Sequence, residues 1–226
     1  GRMSSESTDL TMSPATPPTT VDAPVGKPTG EAAVLAGVQS VLTNPTTVKA
    51  ARGLSHFGEH SLGWLALAGA GAAIASRRGN ETAQRRYIEA GVGAFGAHAA
   101  SVIIKRIVRR PRPDHPDIAV GVGTPSKLSF PSSHATSTTA AAILLGRAVA
   151  TGSGTDRSSL KSMAVASGVI VPPMLLSRLV LGVHYPTDVL AGAAIGAASA
   201  GAVIAGDKLV GDAVFNRLFA NRKPGV

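Results

Sequence analysis

The chain reads as an all-α protein: a polytopic membrane helix bundle of about five spanning helices, preceded by an N-terminal interfacial helix. Three observations predict this. Apolar residues make up 44% of the 226 positions but are spread very unevenly, with Ala, Gly, Val, Leu and Ile gathered in blocks and only scattered through the first thirty residues. The mean hydropathy of +0.22 is therefore the average of a polar tail and a distinctly hydrophobic remainder. The blocks also approach the ~20 residues a helix needs to cross a bilayer, and charged residues flank them. Buried helices of a soluble all-α protein are the competing reading. Repetition of blocks near the spanning length argues against it.

Taken in order, Gly1 and Arg2 precede Met3 and read as residues added for expression, which puts the expected native start at Met3. The following stretch to Thr29 is rich in Ser, Thr and Pro and has no apolar period. It predicts disorder, and it lacks the apolar core of a signal peptide. The chain thus divides into a disordered tail, 1–29, with the added residues at its start, and a membrane-embedded domain, 30–226. Within 31–54, Val34, Leu35, Val38, Val41 and Leu42 recur at helical spacing. That pattern predicts an interfacial helix, interrupted near Asn44-Pro45. Spans are expected at about 58–76, 87–108, 133–150, 160–181 and 186–210, the fourth kinked by Pro172-Pro173. Their Ala and Gly content permits close helix approach. Gly192 and Gly196 form a GxxxG pair that fits either a homodimer through small-residue helix faces or tight packing within one bundle.

The formal charge of +9 suits nucleic acid, acidic headgroups or an anionic substrate. Aromatic residues are only 4% and do not interleave with a basic stripe, which argues against nucleic acid. Cysteine is absent, which excludes disulfides, thiolate metal sites and a cysteine nucleophile.

Between Lys105 and Asp188, three polar islands interrupt the apolar blocks. The first contains Lys105, Arg112 and Pro113, the second Pro131, Ser132, Ser133 and His134, and the third Ser177, Arg178, His184 and Asp188. Because spans alternate in direction, all three islands fall on one face of the bilayer. Pro111 and Pro113 should end the second span and leave Lys105 and Arg112 beyond it, two cations suited to phosphate oxygens. Arg106, Arg109 and Arg110 read as flanking charge. A serine N-cap at the third span leaves free N–H groups for an anion, with His134 beside them as a proton donor. Asp188, one helical turn after His184, can hydrogen-bond one ring nitrogen and leave the other free to attack. Arg178 in an apolar helix is costly, and hence functional by default. Glu59, His60, Glu89 and His98 are expected to make interhelical hydrogen bonds, and Asp114 and His115 to be loop residues.

The pattern Lys-x6-Arg-Pro, Pro-Ser-x-His, Ser-Arg-x5-His-x3-Asp resembles the three-part signature of the type 2 phosphatidic acid phosphatase superfamily, which includes membrane lipid phosphatases and soluble vanadium haloperoxidases. The resemblance covers 105–188 and departs once, with Ser133 in place of the usual glycine. It implies a membrane phosphatase with His184 as nucleophile, Asp188 orienting it, and His134 as acid and then base. Lys105, Arg112, Ser132, Ser133 and Arg178 would hold the phosphoryl oxygens, with no metal or other cofactor required. The short form and its first island look like members that act on a prenyl-linked phosphosugar of cell-wall synthesis. Undecaprenyl pyrophosphate and glycerophospholipids are the alternative substrates. A non-catalytic lipid-binding scaffold is the alternative from another class. The distribution of flanking arginines leans towards an extracytoplasmic site in the inner membrane.

Overall fold

The computed structural model describes residues 25–151 and 156–219; most of the expected tail lies outside them. The described residues form α1 (Glu31–Leu42), α2 (Pro45–Gly58), α3 (Leu62–Arg77), α4 (Glu81–Val108), α5 (Ser133–Val149), α6 (Asp156–Val180) and α7 (Pro186–Phe219), with a 3-10 turn at Glu59–Ser61. Among them the only β-type pairing is an isolated bridge between Pro111 and Leu128.

The expected interruption at Asn44-Pro45 separates two helices. The Asn44 side chain accepts from the Thr47 N–H at 2.9 Å, the Thr47 hydroxyl accepts from the Asn44 N–H at 2.9 Å, and Pro45 occupies the first turn. Both helices dock on the bundle, α1 against α6 and α7 and α2 chiefly against α6. Gln39, buried on α1, donates to the carbonyls of Ala119, Leu179 and Val180 and accepts from the Ala119 N–H. Leu35, one turn earlier, packs against Ile118, Leu179 and Val189.

Three helices, α4, the 158–180 part of α6, and α7, are long and apolar enough to cross a membrane. At 16 and 17 residues, α3 and α5 fall short of that measure. The Ser and Thr content of α5 has a physical reason. The helix packs against α4, α6 and α7 together, and every residue from Ala135 to Ala142 is buried. Its Ser and Thr hydroxyls therefore meet protein rather than lipid, and one of them, Thr138, accepts from the Trp64 indole at 3.0 Å. Around it the polarity is inverted: Val92, Phe95, Ile103, Val165, Val169 and Leu190 are exposed on the outer faces.

Small residues set how closely α7 approaches α5. A Cβ on Gly192 would lie 2.7 Å from the Ser132 carbonyl, and one on Gly196 would collide with the Thr136 carbonyl. The GxxxG face is thus covered within the chain. At the far end of the bundle, Arg147 of α5 bridges Glu89 of α4 (3.2 Å) and Asp207 of α7 (2.9 Å), and Arg85 joins Asp207 and Asp212. Glu89 has the interhelical role expected of it. With that end tied, the opposite ends of α4, α5, α6 and α7 converge on one side.

Candidate active site

At that side α4 ends on Arg109, which adopts a left-handed conformation (φ 53°). The chain then leaves through Pro111 and Pro113 and returns antiparallel to itself. The Arg112 N–H donates to the Lys127 carbonyl and the Ser129 N–H to the Arg110 carbonyl. A cis peptide at Phe130-Pro131 leads into Ser132, whose hydroxyl caps α5 by accepting from the Ala135 N–H. The Ser132 N–H donates to the Asp188 carbonyl at 3.0 Å, which ties the start of α5 to the start of α7. Gly182, at φ 69°, makes the turn out of α6; a side chain there would strike the Ala119 carbonyl.

These elements enclose a cavity of about 500 Å³. Lys105, Arg112, Ser133, His134, Arg178 and His184 all line it. Of the residues singled out from the sequence, Ser132 and Asp188 stand behind the wall, fully buried, and act on it through their neighbours.

The cations are held differently. Arg112 donates Nε–H to the Ser126 carbonyl (2.7 Å) and Nη1–H to that of Val183 (2.9 Å), which fixes the plane of its fork. Burial pushes its guanidinium down to about 10, against the pull of Asp188 and Glu59, so it stays cationic at neutral pH. Lys105 Nζ donates to the Ser133 hydroxyl at 3.0 Å, which also accepts from Ser101 at 2.8 Å. The Ser133 side chain, at the one position where the chain departs from the signature it resembles, is thus a link between α4 and α5. Arg178 is 1% exposed, and its Nε and Nη1 are buried with no hydrogen-bond partner. Two uncompensated guanidinium nitrogens in a cavity wall are expensive unless an anion completes them.

His184 departs from the expected triad in one respect. Its Nδ1 lies 2.8 Å from the Ser129 carbonyl and 3.8 Å from Asp188 Oδ2, so the ring proton goes to a backbone oxygen. Asp188 spends its oxygens elsewhere: Oδ2 accepts from the Tyr185 N–H at 2.7 Å and Oδ1 from Arg110 at 2.9 Å. With Nδ1–H given to Ser129, Nε2 carries the lone pair, 3.2 Å from Arg112 Nη1. Burial holds the ring down to about 4, opposed by Asp188 and reinforced by Arg112 and Arg178, so it is neutral at physiological pH. His134 Nε2 meets the Ser55 carbonyl at 2.9 Å and Glu59 at 3.9 Å.

Two features lay outside the sequence reading. The end of α2 forms part of the wall through Ser55 and Glu59, and Gly58 leaves room for His134, whose Cδ2 would be 2.7 Å from a Cβ there. Glu59, His60 and His98, assigned to interhelical bonding, also line the cavity; His60 and His98 meet edge to face at 5.9 Å. The flanking-charge reading of Arg110 is corrected. Its guanidinium bridges Asp188 and Glu31 (2.6 Å) and lies 4.0 Å over the Tyr185 ring. Proximity to Asp188 and Glu31 was the missing signal, and neither is near Arg110 in sequence.

An apolar helical scaffold whose helix ends bring buried cations and two imidazoles to one cavity is the architecture of a membrane phosphatase. Comparison with known proteins makes this specific. The model of the PAP2 superfamily matches residues 86–208, and the chain belongs to that superfamily. It is 56% identical over 171 residues to the decaprenylphosphoryl-5-phosphoribose phosphatase of Mycobacterium tuberculosis (strain ATCC 25618 / H37Rv), covering 75% of this chain and 86% of that protein. The protein of the same name from Mycolicibacterium smegmatis is 56% identical over 166 residues, 73% of this chain and 82% of its own length. In fold the chain is similar to the transmembrane PAP2-type phosphatidylglycerolphosphate phosphatase of Bacillus subtilis, with a TM-score of 0.62 and 23% identity over 79% of this chain and 84% of the other.

Proposed function

We propose that the chain hydrolyses the 5-phosphate monoester of a prenylphosphoryl-phosphoribose lipid, decaprenylphosphoryl-5-phosphoribose being the substrate that its mycobacterial relatives are named for. The observation that carries the reading is Arg178, whose partnerless buried Nε and Nη1 share a cavity with the unprotonated Nε2 of His184.

In the proposed reaction the monoester phosphate enters the clamp of Lys105, Arg112 and Arg178, with Ser133 holding Lys105 in place and Ser132 holding the helix start. His184 Nε2 attacks phosphorus, a P–N bond forms, and the bond to the ribose oxygen breaks. His134 passes a proton to that oxygen; its Nε2 lies 2.9 Å from the Ser55 carbonyl, which can only accept, so that nitrogen carries a hydrogen. Water then loses a proton to His134 and attacks the phosphohistidine, releasing inorganic phosphate and restoring His184. Asp188 supports the positive ring electrostatically at 3.8 Å, while the Ser129 carbonyl sets the tautomer.

In the same reading α3 and α5 also cross the bilayer, giving five spans in one embedded domain, 30–226. Arg77 and Arg78 at the far end lean that face towards the cytoplasm and the cavity towards the outside of the inner membrane. The test is phosphate release from prenylphosphoryl-5-phosphoribose, prenyl pyrophosphate and a glycerophospholipid monoester, each with the wild type and His184→Ala. The first substrate should be preferred, and the variant should be inert while extracting and folding normally. Unchanged turnover in the variant, or preference for another substrate, overturns the mechanism or the substrate respectively.

A further inference from the structure

Resting on that reading, we propose that Arg106 and Arg109 form a second anion subsite at the cavity rim, which takes the phosphodiester of a substrate bearing two phosphates. Val102, Lys105, Arg106 and Arg109 all line the cavity. Their spacing of three and four puts them on one face of α4, along which the cavity therefore runs. Burial divides the stripe. Lys105 is 7% exposed and belongs to the inner clamp, whereas Arg106 and Arg109 are exposed at its outer end. Four residues of helix separate Lys105 from Arg109, a rise of about 6 Å. That is a spacing on the scale of one sugar ring.

The two arginines also differ from their neighbour. Arg110 is committed to Asp188, Glu31 and Thr187. The guanidinium groups of Arg106 and Arg109 have no hydrogen bond or ion pair among the described residues. The one carboxylate on the cavity wall among those residues, Glu59, sits 3.5 Å from His60 and 3.9 Å from His134 instead. Arg109 further holds the left-handed position that closes a helix, where glycine carries no steric cost. A cation in the last turn is favoured by the helix dipole, but Lys105 and Arg106 already supply that charge. The dipole does not explain an arginine at φ 53°.

A monoester in the inner clamp and a diester at the rim would fix the ribose between them and would discriminate against lipids with a single phosphate. The experiment compares kcat/KM for a short-chain prenylphosphoryl-5-phosphoribose with that for the matched alkyl riboside 5-phosphate, which lacks the diester phosphate, in neutral detergent. The wild type should prefer the double anion at least tenfold. Arg106→Gln/Arg109→Gln should remove most of that preference, chiefly by raising KM for the double anion. Arg109→Gly, which suits the left-handed backbone, should reduce it while melting no lower than the wild type. A wild type that releases phosphate from both substrates with equal kcat/KM, or variants that keep the preference, would overturn the subsite. A wild type that releases phosphate from neither would overturn the substrate reading beneath it. If the variants lose binding of both substrates equally, the arginines serve a general surface attraction and the subsite fails.

Discussion

Replacing Arg178 with methionine is expected to stabilise the protein and to abolish its activity. The side chain is 1% exposed, and Nε and Nη1 have no partner. A buried polar group left unpaired costs about 1–3 kcal/mol. Methionine keeps much of the apolar stem and removes both orphaned nitrogens, so a net gain of about 2 kcal/mol follows, roughly 4–8 °C in Tm for a domain of this size. The wild type should recover that deficit when an anion fills the clamp. Orthovanadate at about 100 times its Kd should stabilise it by about 2.7 kcal/mol. The assay is thermal unfolding in detergent, with and without vanadate, alongside phosphate release. A variant that melts below the wild type and still gains stability from vanadate would refute the assignment of the orphaned guanidinium to the phosphate.

Arg110→Gln should leave the fully buried Asp188 and the partly exposed Glu31 without their shared partner; with Arg110 29% exposed, a loss of about 1–3 kcal/mol is expected in chemical denaturation. Steady-state kinetics should show kcat falling more than KM rises, and Arg110→Lys should recover only part, since an ammonium lacks the fork that spans both carboxylates. For His184, held down to about 4 by burial, the sign is that of a group kept neutral by the fold. The unfolded chain takes up the proton near pH 6.5 and the folded chain only near 4, so acid costs stability across that window. The acid limb of kcat/KM should likewise fall closer to pH 4 than to 6.5, and a limb at 6.5 would contradict the buried tautomer. Gly196→Val should destabilise by about 1–3 kcal/mol through overpacking against Thr136 and Thr139, whereas Gly201→Val, with nothing within 4 Å of its Cβ, should be nearly silent in the same melt.

The parts of this protein legible in its sequence are those fixed by spacing along one chain. Apolar blocks located the helices, alternation of direction put the three islands on one side, and prolines marked where Lys105 and Arg112 leave the helix. Six side chains chosen this way line a single cavity. Apolar composition was a weaker guide to α5, because a helix surrounded by other helices need not be hydrophobic enough for lipid.

What only the tertiary structure decided are the relations between distant segments. The His184 tautomer is set by the Ser129 carbonyl, and a backbone oxygen leaves no mark on the sequence. Arg110 becomes a bridge rather than flanking charge only because α1 brings Glu31 to it. The end of α2 meets His134 from 79 residues away. Local spacing determines which groups reach a helix end; packing determines which of them touch, and in this site the touching sets the charge, the tautomer and the open coordination of Arg178.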